Sequence, residues 1–157
     1  MKSHDNHGEA SVMADRQRWM SILARSDYNE LNQHWDALNV SSMYDVLRPA
    51  EVGMMMVKGR MNGSGTPFNV GEVTVTRCAI KLASGRMGTA YVLGRNKQHA
   101  ELAAIIDGQL QNDGLHDTIQ QQVIEPLAKQ QQHSTQLKQT ATESTQVDFF
   151  TLVRGED

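Results

Sequence analysis

The chain has 157 residues, a net charge of −3 and a single cysteine, Cys78. With 39% apolar residues it can bury one core, which excludes wholesale disorder and favours a single domain. The weak net charge excludes a general cationic surface for nucleic acid or anionic lipid, and one cysteine excludes an internal disulfide framework. No apolar stretch approaches bilayer length and the first ten residues contain no apolar signal segment, so we expect a cytoplasmic protein without a membrane or nucleic-acid partner.

Two short amphipathic helices are predicted after a polar tail, which covers residues 1–13. Asp15 is expected to cap the first helix. Asp27, with Glu30 three residues later, begins the second helix with the pattern of a capping box. The apolar residues that repeat at the spacing of one helix face are Trp19, Ile22 and Leu23 in the first helix and Leu31, Trp35 and Leu38 in the second.

Strands are predicted next, and Pro49 is expected to separate the first two. The first strand covers residues 44–48 and stops at the proline, which cannot donate a ladder hydrogen bond. The second strand covers residues 52–61 and is apolar on both faces because it contains three consecutive methionines. Residues 62–67 are dense in glycine, asparagine and proline, so they indicate a hairpin turn or a flexible loop.

Two further strands, residues 72–82 and 87–93, complete an antiparallel meander, because only short turns join them. The apolar residues of the longer strand switch faces near Thr76 and Arg77, which predicts either a β-bulge there or burial of both faces. Charged residues within these strands are expected to face water or to pair as Arg and Glu across neighbouring strands. They are Glu51, Lys58, Arg60, Glu72 and Arg77.

A longer helix is predicted after Asn96, which suits the N-cap position, and residues 112–114 are expected to end it. A further helix runs from about Leu115 until Pro126 interrupts it. The residues on one face of the longer helix are His99, Leu102, Ala103, Ile106 and Leu110.

The C-terminal part joins a polar stretch to an apolar strand. Residues 127–146 are rich in Gln and Thr and contain too few apolar residues to stabilise a solitary helix. Residues 147–153 (VDFFTLV) are the most strand-like run of the chain, and they either insert into the chain's own sheet or add to the sheet of a partner. The whole pattern predicts an α+β fold with an N-terminal helical pair, an antiparallel sheet meander, C-terminal helices and a final apolar strand.

Residues 94–101 (GRNKQHAE) form the most informative polar cluster. Arg95, Lys97 and His99 crowd a helix N-terminus, where the helix dipole disfavours cations unless an anion is present. They are therefore candidate contacts for a phosphate or for a partner. The alternative is that Arg95 and Lys97 are solvated or pair with a carboxylate such as Glu101, while His99 faces the core.

No catalytic or cofactor motif stands out in the sequence. It contains no Walker loop, dinucleotide-binding glycine motif, HExxH, CxxC or nucleophile elbow, so we assign no catalytic residue, metal ligand or bound cofactor. A stand-alone enzyme is the least expected class. A stand-alone small-molecule or peptide-binding module, with the methionine-rich strand lining its pocket, stays open as an alternative.

Five segments, in order along the chain, resemble the PhnG family. The resemblance extends from about residue 14 to the end, so residues 14–157 are expected to form one PhnG-like domain. The segments are residues 16–20 (RQRWM), 49–53 (PAEVG), 71–78 (GEVTVTRC), 94–101 (GRNKQHAE) and 147–155 (VDFFTLVRG).

The resemblance implies a subunit of the bacterial carbon–phosphorus lyase core complex, which acts in phosphonate catabolism. In that system the G, H and I subunits, with L, replace the adenine of ATP with an alkylphosphonate to give ribose 1-methylphosphonate 5-triphosphate. J, a radical enzyme, later breaks the carbon–phosphorus bond, and K is a further nucleotide-binding subunit. The chain would then be mainly structural, without a cofactor of its own. Residues 127–157 are expected to form an arm that engages a partner, with Phe149, Phe150, Leu152 and Arg154 at the interface.

Overall fold

The computed structural model describes residues 6–60 and 65–144, with side chains from residue 11 to residue 140. It has the predicted α+β fold with an antiparallel sheet, and its three strands lie in the order β1-β2-β3. The predicted final strand lies outside the described residues. The elements are α1 (Asn6–Arg25), α2 (Tyr28–Ala37), β1 (Tyr44–Arg60), β2 (Pro67–Leu82), β3 (Met87–Leu93), α3 (Lys97–Leu110), α4 (Asp113–Ile119), a π-helical turn (Gln120–Ile124) and α5 (Glu125–Ser144).

The two N-terminal helices have the predicted buried stripes, and the second begins after Asp27 as predicted, whereas the first begins earlier than predicted. α1 begins at Asn6, so Asp15 lies inside the helix and the predicted tail is helical from residue 6 onward. Asp27 caps α2, since its Oδ1 accepts hydrogen bonds from the N–H groups of Asn29 (2.8 Å) and Glu30 (3.3 Å). The Glu30 carboxylate accepts a hydrogen bond from Gln130 of α5. The buried residues of the two stripes are Trp19, Ile22, Leu23, Leu31 and Trp35, and Leu38 packs against them.

β1 continues through Pro49, so the prediction that a strand ends there is wrong. The pairing of β1 with β2 shifts just before the proline, between Val46 and Arg48, and again across it, between Arg48 and Glu51. β1 is an edge strand, where a residue without an N–H is tolerated, and the irregular pairing removes the need for that donor.

β2 itself pairs regularly with β3 from Val75 to Lys81, so the expected bulge is not in β2. The second sequence-based alternative, burial of both faces, is the one observed. Val75 on one face is 6% exposed and Thr76 on the other is fully buried. Thr76 Oγ1 donates a hydrogen bond to the carbonyl of Gly94 at 2.8 Å, which satisfies the buried hydroxyl.

β1 and β2 extend well beyond the end of β3 as a two-stranded ribbon. β3 reaches only as far as Val75 of β2, whereas pairing between β1 and β2 continues to Arg60 and Pro67. We call residues 52–60 and 67–74 the hairpin arm. Its exposed large apolar side chains lie on both faces and are Val52, Met54, Met55, Met56, Val57, Phe68 and Val70.

α3 packs across β2 and β3 and forms the centre of the core. Asn96 caps it by accepting from the N–H of His99 at 2.9 Å, as predicted. The helix approaches the sheet at Gly88, where a Cβ would collide with the carbonyl oxygen of Ala104 and lie 2.8 Å from the backbone nitrogen of Gly108. A glycine at position 88 therefore sets the separation between α3 and β3.

Pro126 does not interrupt the C-terminal helix, contrary to prediction. α4, the π-helical turn and α5 follow one another without a break from Asp113 to Ser144. The carbonyl that a proline ring crowds is four residues earlier, at Gln122, and it lies in the π-helical turn. The wider turn, in which Glu125 donates to the carbonyl of Gln120, makes room for the ring.

The glutamine-rich stretch is helical to Ser144 because its beginning is anchored to the body. Leu127 is 1% exposed in the core, and Gln131 Nε2 donates to the carbonyl of Ile22 at 2.8 Å. Residues 132–140 are exposed. Tertiary contacts at the start of the helix thus compensate for its weak apolar content.

Candidate functional site

A buried carboxylate, Asp107 of α3, joins α1, α3 and β3. Arg16 donates to it twice, from Nε to Oδ1 (3.1 Å) and from Nη2 to Oδ2 (2.7 Å). Trp19 Nε1 donates to Oδ1 at 2.9 Å, and the backbone N–H of Thr89 donates to Oδ2 at 3.0 Å. Asp107 is fully buried, and all four hydrogen bonds point at its two oxygens. We call Arg16, Trp19, Thr89 and Asp107 the Asp107 cluster.

The Asp107 cluster is an ion pair around a fully buried carboxylate, and Arg16, whose side chain is 35% exposed, reaches an opening of about 460 Å³ at the surface. The hydrogen bonds to Asp107 raise the pKa of Arg16, which keeps the guanidinium charged. A bidentate guanidinium–carboxylate pair is the geometry that best offsets the desolvation of both charges. Its role is to fix α1 against α3 and the sheet. Sequence reasoning missed Asp107, although an aspartate inside the apolar run of α3 is the kind of residue that requires a partner.

The structure separates His99 from the two cations that sequence reasoning grouped with it. His99 is 5% exposed, and its Nε2 donates to the carbonyl of Leu23 at 2.8 Å. Burial lowers the pKa of this imidazole, although the hydrogen bond to Leu23 opposes the effect. His99 therefore faces the core as a neutral ring that links α3 to the end of α1, which is the second of the two alternatives.

Arg95 and Lys97 lie exposed at the start of α3. Among the side chains that the structure describes, in residues 11–60 and 65–140, neither of them has an ion pair or a side-chain hydrogen bond. Glu101, the carboxylate expected as a partner, instead accepts from the hydroxyl of Tyr44 at 2.7 Å. Two solvated cations therefore lie beside the N-terminus of the 14-residue helix α3, and no carboxylate among the described residues pairs with them.

Neither Tyr44 nor Cys78 has the properties of an activated group. The hydrogen bond to Glu101 raises the pKa of Tyr44 to about 12, so the phenol is a weaker acid than usual. Burial raises the pKa of the Cys78 thiol, whose Sγ lies 3.4 Å from the carbonyl oxygen of Arg48. A buried thiol with a raised pKa is unreactive, and Cys78 packs in the core as a small apolar residue.

The predicted pairing of Arg and Glu across neighbouring strands is confirmed at one position. Arg77 Nε of β2 donates to Glu51 Oε1 of β1 at 2.8 Å, and these two residues are direct partners in the register. Arg48 lies further away, at 3.6 Å. All three side chains are about half exposed, so each pair contributes at most about 1 kcal/mol.

Several openings border α1, and two of them differ in polarity. A polar cleft of about 630 Å³ lies between α1 and α5 and contains Arg18, Arg25 and Gln136. A smaller and mostly apolar groove of about 230 Å³ lies next to it, between α1 and β3. Neither opening contains a nucleophile with an adjacent base, and no group of three metal-ligating side chains exists within the described ranges.

Four residues predicted to form an interface, Phe149, Phe150, Leu152 and Arg154, lie outside the described residues. Among the helices that are described, none combines the length and apolarity needed to cross a membrane. The described residues thus offer a structural ion pair, an exposed cationic pair and exposed apolar surfaces.

Comparison with known proteins agrees with the family resemblance of the sequence segments. A family model described as "Phosphonate metabolism protein PhnG" matches residues 14–155. The "Alpha-D-ribose 1-methylphosphonate 5-triphosphate synthase subunit PhnG" of Rhizobium meliloti (strain 1021) is 38% identical over 156 residues, which cover 99% of this chain and 97% of the relative. Because both matches extend over nearly the whole chain, this protein belongs to the PhnG family.

Proposed function

We propose that this chain is a mainly structural subunit of ribose 1-methylphosphonate 5-triphosphate synthase in the carbon–phosphorus lyase pathway, which assists the displacement of adenine from ATP by a phosphonate. Its family membership and the full-length similarity to a synthase subunit support this function. The partners would be the H, I and J subunits, with L and K, and the assembly would act in the cytoplasm on ATP and an alkylphosphonate. The chain would bind no cofactor of its own.

The hairpin arm is the observation that carries this proposal. A two-stranded ribbon is only marginally stable alone in water, and this one exposes Met54 by 67%, Phe68 by 47% and Val70 by 62%. Contiguous apolar surface of this kind is typical of a protein interface, and methionine side chains adapt well to a partner surface. The arm would therefore insert its methionines into an apolar surface of another synthase subunit.

We expect the double variant Met54→Gln/Met56→Gln to lose most of its binding to the other subunits. Both side chains lie on the same face of β1 and are 67% and 48% exposed, so the change removes apolar contact without disturbing the core. Two anchor side chains at an interface are together worth about tenfold or more in affinity. Co-purification of the variant with the co-expressed subunits, quantified against the unchanged chain, measures the effect.

Met13→Gln is the matched control, since Met13 of α1 is 64% exposed and lies outside the hairpin arm. It should co-purify like the unchanged chain. Equal recovery of the Met54→Gln/Met56→Gln variant and the control would contradict an interface at the arm. The same experiment tests the alternative of a stand-alone module, because the unchanged chain would then not co-purify with the other subunits.

Residues 127–157 were expected to form an arm that engages a partner. Within the described residues, only part of this segment is exposed and available to contact another subunit. Leu127 belongs to the chain's own core, so partner contacts there would begin beyond Gln131. The exposed side of residues 132–140, with Leu137 59% exposed, is the part of α5 that we propose as a second contact surface.

Arg95 and Lys97 are proposed as contacts for a phosphate group of the synthase substrate or product. Their exposure beside the N-terminus of α3, without a described counter-charge, favours an anion there. The double variant Arg95→Ala/Lys97→Ala is expected to weaken ATP binding by the assembled complex by roughly a hundredfold, since each of the two charged hydrogen bonds contributes about 1.5 kcal/mol. Binding of ATP is measured by titration, with Lys81→Ala as an exposed control; unchanged binding would show that the two cations are only surface charges.

A further inference from the structure

The outer edge of β3 is open over its second half. β2 is its only pairing partner among the described strands. Side chains cover the first half of the edge, where Gln111 Nε2 donates to the carbonyl of Met87 at 2.8 Å and Asp107 accepts from the N–H of Thr89. Alternate residues of a strand direct their backbone groups to the same side, so those of Tyr91 also point outward. Within the described chain no hydrogen bond reaches them.

The open edge borders the apolar groove of about 230 Å³ that α1 and β3 form. Met20, Leu23 and Ala24 of α1 line one wall, and Ala90 and Val92 contribute to the other. Small-molecule sites usually measure about 300–1,000 Å³, so this groove is too small for a nucleotide. An open strand edge beside a helix and an apolar groove suits an extended peptide, whose backbone pairs with the edge while one or two side chains fill the groove.

We propose that residues 147–153 of the same chain add to the outer edge of β3 as a fourth strand, with Phe149 or Phe150 in the groove. The segment is rich in aromatic and β-branched residues and has apolar residues at both odd and even positions, as a strand between a sheet and a helix requires. The sequence alone allows either the chain's own sheet or that of a partner. The groove provides a place for it within the chain.

The length of chain beyond α5 permits this arrangement. Gln136 of α5 still lines the cleft beside α1, and the helix advances about 12 Å from there to Ser144 at about 1.5 Å per residue. Ser21 of α1 lines both the cleft and the groove, so the two openings adjoin and lie within one helix width, ~10 Å, of each other. Residues 145–150 can span about 20 Å when extended, which exceeds both this width and the advance of α5, so a phenylalanine can reach the groove.

Amide hydrogen exchange of the full-length chain tests the proposal. We expect the N–H of Tyr91 to exchange slowly in the unchanged chain and at least about tenfold faster in the variant Phe149→Ser/Phe150→Ser. The N–H groups of Ala90 and Val92 point towards β2, so they should stay slow in both and report that the sheet is intact. The variant Glu156→Gln/Asp157→Asn changes the same tail outside the strand and should leave Tyr91 slow.

Two results would overturn the proposal. Fast exchange of Tyr91 in the unchanged chain would show an empty edge, and slow exchange only in the presence of other subunits would assign the edge to a partner. A photo-crosslinking phenylalanine at position 149 gives a second measurement, with an intrachain crosslink to residues 20–24 expected and a crosslink to another chain contradicting it. The exchange experiment needs no partner, so its outcome is separate from that of the proposed synthase function.

Discussion

Asp107→Ala is expected to lower the free energy of unfolding by about 3–5 kcal/mol, because it leaves two buried N–H donors without an acceptor, at about 1–3 kcal/mol each, and removes the partner of Arg16. The variant removes the acceptor for Arg16, for the indole N–H of Trp19 and for the backbone N–H of Thr89. None of these donors gains another described partner, and α1 loses its polar attachment to α3. Urea denaturation followed by tryptophan fluorescence measures the change.

Asp117→Ala provides the control for this prediction, since Asp117 is exposed on α4. It should change the unfolding free energy by less than about 0.5 kcal/mol. A loss below about 1 kcal/mol for Asp107→Ala would mean that the Asp107 cluster does not hold α1 in place. Asp107→Asn distinguishes the loss of the negative charge from the loss of side-chain volume, since asparagine has nearly the same shape. Its amide keeps one acceptor oxygen but directs N–H groups towards Arg16 or Trp19.

Gly88→Ala is expected to destabilise the chain by about 3 kcal/mol or more, at the upper end of the usual cost of overpacking. The added Cβ would meet the carbonyl of Ala104 and the backbone nitrogen of Gly108, and neither backbone atom can rotate away. α3 would have to move off the sheet, disturbing the contact on which the core depends. A fall of roughly 6–12 °C in Tm is expected for a chain of this size.

Gly53→Ala is the matched control, because Gly53 also lies in a strand but a Cβ there meets nothing within 4 Å. Its Tm should stay within a degree or two or rise slightly, since alanine restricts the unfolded chain. Similar melting temperatures for Gly88→Ala and Gly53→Ala would show that α3 does not pack on β3 as closely as described.

The helical stripes and the meander follow from local pattern, and both were predictable. Periodicity identified Trp19, Leu31 and Trp35 as core residues, and Asp27 and Asn96 were recognisable as helix caps from their position before apolar runs. These features depend on residues within one or two turns of each other, so a single sequence contains the relevant information.

The incorrect predictions concern residues whose local structure depends on a neighbouring element of the fold. Pro49 lies within a strand because β1 is at the edge of the sheet, and Pro126 lies within a helical run because a π-helical turn precedes it. Both facts concern pairing or hydrogen-bond pattern around the proline, which composition does not reveal. In the same way, His99 was grouped with Arg95 and Lys97 by sequence proximity, although its side chain points to the opposite side of α3.

The sequence by itself determined the fold class, the core faces and the family, because periodicity, turn residues and ordered motifs are local or cumulative signals. Only the tertiary structure decided that Asp107 binds Arg16 across 91 positions, that the hairpin arm leaves the body of the protein, and that β3 keeps an open edge. The physical reason is that each of these depends on which distant segments lie side by side. The role of a buried charge or of an exposed strand edge can be assigned only when the described residues that lie next to it are known.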